Sequence, residues 1–240
     1  MTTPFYAPPD AFHTSRVVFP DDEARHAAQV LRKQPGDEVV VVDGDGGWHR
    51  VRLGHVSRRQ VVGHVLETRR DVGEPDRAVT VALGLLKKRS RFETFVEKAV
   101  EVGVWRIRPL RTDRTERDAI RADRLHRLTV AALKQCQRSR LPVVEAPCSF
   151  RSSLETDAVV LLCHEQARDA TPLPQALRTI AREAPLCLLV GPEGGFSEAE
   201  VEKALDAGAD LVSLGPRRLR AETAGIVAAG MATMMSTGET

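Results

Sequence analysis

Between residues 39 and 66 the chain alternates apolar and polar positions in three short runs, at 39–42, 48–56 and 61–66. Turn residues divide them, Asp43-Gly44-Asp45-Gly46-Gly47 and Ser57-Arg58-Arg59-Gln60, so the runs read as strands joined by turns. A further strand is expected at 16–19. Asp21 or Asp22 caps a short helix through residues 28–31, and Pro35-Gly36-Asp37 turns the chain. Short strands at this spacing predict a compact β-barrel.

A polar stretch with Gly73 and Pro75, residues 67–77, ends that pattern and sets a domain boundary near Gly73, giving domains 1–73 and 74–240. Strands at 79–86, 105–110 and 158–163 then alternate with helices at 92–102, 122–136 and 173–182. Such alternation predicts an α/β domain with a mainly parallel sheet and helices on both faces. Two strand-loop-helix units follow. Leu186-Cys187-Leu188-Leu189-Val190 breaks into Gly191-Pro192-Glu193-Gly194-Gly195-Phe196, and Asp210-Leu211-Val212-Ser213-Leu214 into Gly215-Pro216-Arg217-Arg218-Leu219-Arg220. These units place two glycine loops at the carboxyl ends of neighbouring strands, where open α/β sheets bind ligands. Ser197 and Glu200 have capping-box spacing for the first helix, and Gly208 suits its C-terminal turn. The last helix, about 222–235, is crowded with Ala224, Gly225, Ala228, Ala229, Gly230 and Ala232. It is too short for a bilayer, which needs ~20 residues, and so small and apolar that it is expected to pack close against another backbone.

Composition narrows the class. The 240 residues are 42% hydrophobic and 4% aromatic, enough for a core. Cys136, Cys148, Cys163 and Cys187 show no close pairing, so neither a zinc site nor a disulfide framework is indicated and a reducing cytoplasm is expected. The N-terminus carries prolines and acids in place of a basic start and an apolar run, so no signal peptide or membrane span is expected. Net charge is only +2, but residues 106–140 hold 11 Lys or Arg against 4 Asp or Glu, a local +7 that leaves −5 elsewhere. A concentrated basic segment is what phosphate-backbone binding requires; a solvated arginine-rich helix face is the competing reading.

Glycines 191, 194, 195 and 215 clear side chains from places where backbone meets ligand. No Gly-Lys-Ser/Thr follows Gly191, which excludes a Walker loop. The 43–47 stretch lacks the later carboxylates of a calcium loop and the following helix of a dinucleotide fingerprint, so it reads as a hairpin turn. Glu93, Glu97 and Glu101 repeat at i, i+4, i+8 as a solvated helix face. His164 closes the strand at 158–163 in a ligand-facing position, and with Glu165 it makes no metal-ligand spacing.

The Gly191-Pro192-Glu193-Gly194-Gly195 loop, together with Leu214-Gly215-Pro216-Arg217-Arg218-Leu219-Arg220-Ala221-Glu222-Thr223-Ala224, resembles the signature of the RsmE family, the 16S ribosomal RNA uridine-N3 methyltransferases of the SPOUT superfamily. His26-Ala27-Ala28-Gln29-Val30-Leu31-Arg32, Gly36-Asp37 and Asp43-Gly44 resemble that family's PUA-like RNA-binding barrel. Lys88, Arg91, Glu93, Lys98, Glu101, Gly103 and Val104 fit its first-helix pattern, and Gln135, Arg138, Arg140 and Pro142 its following stretch. Lys134 departs by standing where members carry glutamate, and Thr2-Thr3-Pro4-Phe5-Tyr6 lacks the arginine often found before the aromatic.

The resemblance implies a SPOUT-type parallel sheet with a C-terminal trefoil knot beside a small PUA-like barrel, a homodimer, S-adenosylmethionine as cofactor, and 16S ribosomal RNA or the small ribosomal subunit as partner. Cofactor residues would be His164, Val190, Gly191, Glu193, Gly194, Gly195, Leu214, Gly215, Leu219 and Thr223, with Leu214 and Leu219 enclosing adenine. Arg220 would stabilise charge on the uracil oxygens. Glu222 is the candidate proton acceptor, or else a helix N-terminal acid. Arg32, Lys88, Arg91, Arg138 and Arg140 would meet RNA. Two other readings stay open: a SPOUT enzyme acting on a ribose 2′-oxygen or another base, and a non-catalytic RNA-binding assembly factor.

Overall fold

Residues 3–164 and 170–235 are described by the computed structural model. They pack as two units, Met1–Glu74 with Val130–Leu141, and Pro75–Thr129 with Pro142–Thr240. A single division at residue 73 does not describe this, because 130–141 returns to the first unit. The reason is a buried carboxylate. Glu74 accepts hydrogen bonds from Arg138 (Nε 3.1 Å, Nη2 2.6 Å) and from the backbone N–H groups of Ser139 (3.0 Å) and Arg140 (2.9 Å). Ser139 and Leu141 also pair through their backbones with Gly46 and Gly44 of the 43–47 turn. That turn is held by Asp43, whose Oδ1 accepts from the N–H groups of Asp45 and Gly47, both at 2.7 Å.

The first unit contains β1 (Phe5–Tyr6), β2 (Phe12–His13), β3 (Arg16–Val18), β4 (Glu38–Val42), β5 (Gly47–Val56) and β6 (Val61–Arg70), in the order β1-β4-β5-β6-β3-β2. Period-two alternation turns Val39, Val41, Val51, Leu53 and Val61 into one apolar core with Phe5, Val17 and Phe19. Among the described residues no ladder joins the edge strands β1 and β2. The expected barrel is therefore a curled half-barrel, open between those edges. Helix α1 (Asp21–Arg25) begins after Pro20 without a side-chain cap and passes into a π-turn at His26–Val30. Asp21 and Asp22 are thus first-turn acids, stabilised by the helix dipole, and do not serve as its cap.

The second unit's sheet is wholly parallel. Its strands are β7 (Val79–Gly84), β8 (Arg106–Arg111), β9 (Val143–Val144), β10 (Cys148–Ser149), β11 (Val159–Cys163), β12 (Thr171–Pro172), β13 (Leu186–Val190) and β14 (Asp210–Ser213). The order is β10-β8-β7-β13-β11-β14-β12, with β9 also on β8. Helices are α2 (Arg89–Glu101), α3 (Ala122–Cys136, which belongs to the first unit from Val130 onward), α4 (Phe150–Ser153), α5 (Leu173–Thr179), α6 (Glu198–Asp206) and α7 (Ala221–Met234). Parallel sheets are buried on both faces, and β13 shows it. Leu186, Leu188 and Val190 join the core with Phe92, Phe95, Leu173 and Ala228, while Cys187 and Leu189 join Phe150, Phe196 and Ala204. The capping box of α6 forms as its spacing requires, and Gly208 takes φ +84° after it.

One expectation is overturned: β13 and β14, the strands that feed the two glycine loops, are not neighbours. β11 lies between and pairs with both. Chain order does not determine sheet order when crossovers are free to skip a position.

Helix α7 packs against α2, α5, β7 and β13. At Gly225 a Cβ would stand 2.8 Å from a ring carbon of Phe95, and Thr233 Oγ1 donates to the Val102 carbonyl at 2.7 Å. Gly230, in contrast, has nothing within 4 Å of a built Cβ. Gly225→Ala should lose about 1–3 kcal/mol through overpacking, while Gly230→Ala should gain about 0.5–1 kcal/mol from helix propensity. Urea unfolding followed by circular dichroism measures both.

Candidate active site

Cys163 at the end of β11 pairs with Val190 of β13 on one side and Val212 of β14 on the other. Three carboxyl ends therefore lie level, and the chain beyond them forms a cleft of about 420 Å³. The structure brings together on its lining His164, Val190, Gly191, Glu193, Gly194, Gly195, Leu214, Gly215, Leu219, Arg220 and Arg91. Two residues are not brought there. Thr223 is exposed on α7 off the lining, and Glu222 is buried at 8% exposure. Glu165 and Thr2 lie outside the described residues.

The first loop closes on itself and on the sheet. A Cβ at Gly191 would meet Gly195 Cα at 2.8 Å, and one at Gly84 of β7 would meet the Pro192 ring at 2.5 Å. Gly195 N–H donates to Pro192 O at 2.9 Å, and Arg114 Nη1 donates to Gly194 O at 2.5 Å. Gly195 (φ +70°) and Gly215 (φ +100°) occupy the left-handed region, and a Cβ at either would enter open space. Both loops thus keep backbone, without side chain, at the opening.

Electrostatics distinguish this cleft. Among the described residues Arg91, Arg114, Arg217, Arg218 and Arg220 line it against one carboxylate, Glu193. Glu193 is held by the Lys87 backbone N–H at 3.2 and 3.3 Å. Arg91 reaches Glu193 at 3.7 Å and Glu222 at 3.6 Å, and the second Glu222 oxygen has no hydrogen-bond partner among the described residues. Glu222 therefore braces Arg91 from off the lining. Arg220 is the N-cap residue of α7, exposed, and makes no ion pair among the described residues. It pairs with neither Glu193 nor Glu222, since both carboxylates face Arg91. The remaining lining nucleophile, the Cys163 thiol, is pushed up to about 12 by burial, which removes thiolate chemistry at neutral pH.

The proposed RNA residues divide. Arg32 is exposed with φ +51°, and Lys88 is exposed at the start of α2. Arg138 is 3% exposed and committed to Glu74, and Arg140 is held by Asp45 (3.0 Å) and Asp71 (2.6 Å). Neither guanidinium is presented to a phosphate. The same holds along the basic segment: Arg106 and Arg108 grip Glu145, Arg111 and Arg114 bond carbonyls, and Arg124 takes Glu93 in a two-pronged pair at 2.7 and 2.8 Å. Glu93 is accordingly no solvated stripe residue. Lys134 pairs with the buried Glu23, whose carboxyl is raised by burial against the lowering effect of that lysine. Arg117, Arg121 and Arg127 are left without an ion pair among the described residues. Arg114, Arg217 and Arg218 were not among the expected site residues. The last two carried the signal of lying inside the second glycine loop; nothing local distinguished Arg114.

A family model for the RNA methyltransferase domain matches residues 73–233, and one for the RNA methyltransferase PUA domain matches residues 19–66. Ribosomal RNA small subunit methyltransferase E of Synechocystis sp. is 32% identical over 226 residues, covering 92% of this chain and 73% of that protein. The Mycobacterium tuberculosis protein of that name is 33% identical over 222 residues, 87% and 82%. This chain belongs to the RsmE family. A solved RsmE structure from Neisseria gonorrhoeae, bound to S-adenosyl methionine, superposes with a TM-score of 0.84 at 28% identity over 98% of both chains. A structure of a probable rRNA-methyltransferase from Porphyromonas gingivalis also gives 0.84, at 33% identity over 94% of this chain and 95% of that one. The methyltransferase match of this RsmE-family chain contains every lining residue of the cleft.

If Arg138 is structural, Arg138→Ala should cost about 3–5 kcal/mol, the loss expected when a buried ion pair is left one-sided. Chemical unfolding reads it; a stable variant with weakened RNA affinity would restore the phosphate-binding role.

Proposed function

We propose that the chain transfers the methyl group of S-adenosylmethionine to N3 of a uridine in 16S ribosomal RNA, acting in the cytoplasm as a homodimer. The observation that carries this reading is one cleft, shared by two glycine loops and lined by arginines, in a chain of the RsmE family. The residues fit the cofactor: glycine backbone at 191, 194, 195 and 215 leaves open space that a Cβ would enter at Gly195 and Gly215, and Leu214 and Leu219 supply apolar surface for a base. Val190 and His164 would complete the wall. S-Adenosylmethionine supplies a sulfonium-activated methyl.

The chain's own residues would prepare the acceptor. Nearby cations favour an ionised form, so the guanidinium groups of the lining favour uracil without its N3 proton. Arg220 stands at the N-terminus of α7, where helix dipole and planar donors converge on developing oxygen charge. Glu222, off the lining and turned to Arg91, supports the wall and is not placed to take the proton. The trefoil knot and the dimer belong to the same reading. The dimer draws support from the small-residue helix α7, and light scattering should give twice 26.4 kDa; a mass of one chain at micromolar concentration would count against it.

Calorimetry tests the cofactor. The parent should bind S-adenosylmethionine, and Gly195→Val, strained at φ +70° yet clear of protein atoms, should stay folded and lose binding. Normal affinity in that variant would move the site elsewhere. Arg220→Lys should lower kcat by about 10²-fold, the scale of one lost oxyanion donor, with cofactor affinity within a few-fold. Weakened binding with normal single-turnover methylation would make Arg220 a loop residue only.

A further inference from the structure

We infer that Glu193 makes the cleft selective for the charge of its cofactor, favouring the methyl donor over the spent product. This rests on reading the cleft as the S-adenosylmethionine site. S-Adenosylmethionine carries a sulfonium, an ammonium and a carboxylate, a net +1; S-adenosylhomocysteine, once the methyl has left, has a neutral thioether and a net charge of zero. An arginine-lined cleft suits RNA phosphate and uracil oxygen but opposes a cation. Among the described residues Glu193 is the lining's sole carboxylate.

The surrounding geometry keeps Glu193 both placed and charged. Its two oxygens lie 3.2 and 3.3 Å from the Lys87 N–H. Arg91 stands 3.7 Å away but is shared with Glu222 at 3.6 Å. One guanidinium between two carboxylates leaves the trio at net −1, so Arg91 does not cancel Glu193. Glu222 acts on the cleft without touching it: 8% exposed, with one oxygen unpartnered among the described residues, it draws on Arg91 from behind. At partly buried sites such charges act at lower effective dielectric than water and are screened less by salt. The trio is thus a negative pole in a positive cleft, felt by the donor and not by the product.

The full-length protein should be titrated calorimetrically with S-adenosylmethionine, S-adenosylhomocysteine and sinefungin, which carries an amine-bearing carbon in place of the sulfonium. In Glu193→Gln the preference for S-adenosylmethionine over S-adenosylhomocysteine should fall about tenfold, the size of one screened charge contact. Sinefungin should weaken in parallel, and S-adenosylhomocysteine should stay within about twofold. Glu222→Gln should shift the same preference in the same direction by about threefold, although Glu222 is off the lining. Equal weakening of all three ligands in Glu193→Gln, or an unchanged preference in Glu222→Gln, would overturn charge selection and leave Glu193 a loop-shaping residue. A parent that binds none of the three would instead overturn the cofactor reading itself.

Discussion

The site depends on β11 lying between β13 and β14. Adjacent strands are about 4.8 Å apart, so loops on adjacent strands would stand shoulder to shoulder with no room between them. Skipping one strand separates the two glycine loops by about twice that distance. The end of β11, Cys163 and His164, then joins the lining between them. Because both faces of a parallel sheet are covered, this row of carboxyl ends is where backbone can meet a ligand. Small residues make the arrangement possible: Gly84 admits Pro192, Gly191 admits Gly195, and Gly225 admits the Phe95 ring beneath α7.

Charge is allocated in the same local way. Counting lysines and arginines along 106–140 describes a polycation, whereas the folded chain spends most of them on Glu145, Glu93, Glu23, Glu74, Asp45, Asp71 and on carbonyl oxygens. In the second unit Arg91, Arg114, Arg217, Arg218 and Arg220 gather at the cleft, while Arg117, Arg121 and Arg127, away from it, make no ion pair among the described residues. In the cleft the guanidinium groups outnumber carboxylates, and the exception, Glu193, is held in place by the Lys87 backbone and Arg91. A buried pair such as Arg138 with Glu74 secures chain segments; an arginine such as Arg220, without an ion pair among the described residues, stays exposed.

The elements legible in the sequence were those set by local rules. The Ser197–Glu200 capping box, the five-residue run of β13, the α3 bounds and the 43–47 turn each follow from short-range hydrogen bonding or periodicity, and each is present. Strands of two residues, β1, β2, β9, β10 and β12, are too short to show alternation. The skipped strand, the open edge of the half-barrel and the return of 130–141 to the first unit are set by pairings between residues distant in the chain, 64 positions apart for Glu74 and Arg138, which no local pattern encodes. Within the site, the glycine loops were readable because backbone conformation restricts residue type. The partnering of Arg138, Arg140 and Glu222 was not, because a charged side chain looks alike in sequence whether it faces phosphate or a buried carboxylate.

The most direct test of the account is product identity. Small ribosomal subunits from a strain deleted for this activity would be incubated with the purified chain and S-adenosylmethionine bearing a labelled methyl, and their RNA digested to nucleosides for mass spectrometry. The account predicts one labelled product, N3-methyluridine, from the 16S RNA. Label on a ribose 2′-oxygen or on another base, or no transfer by a protein that binds the cofactor, would contradict it.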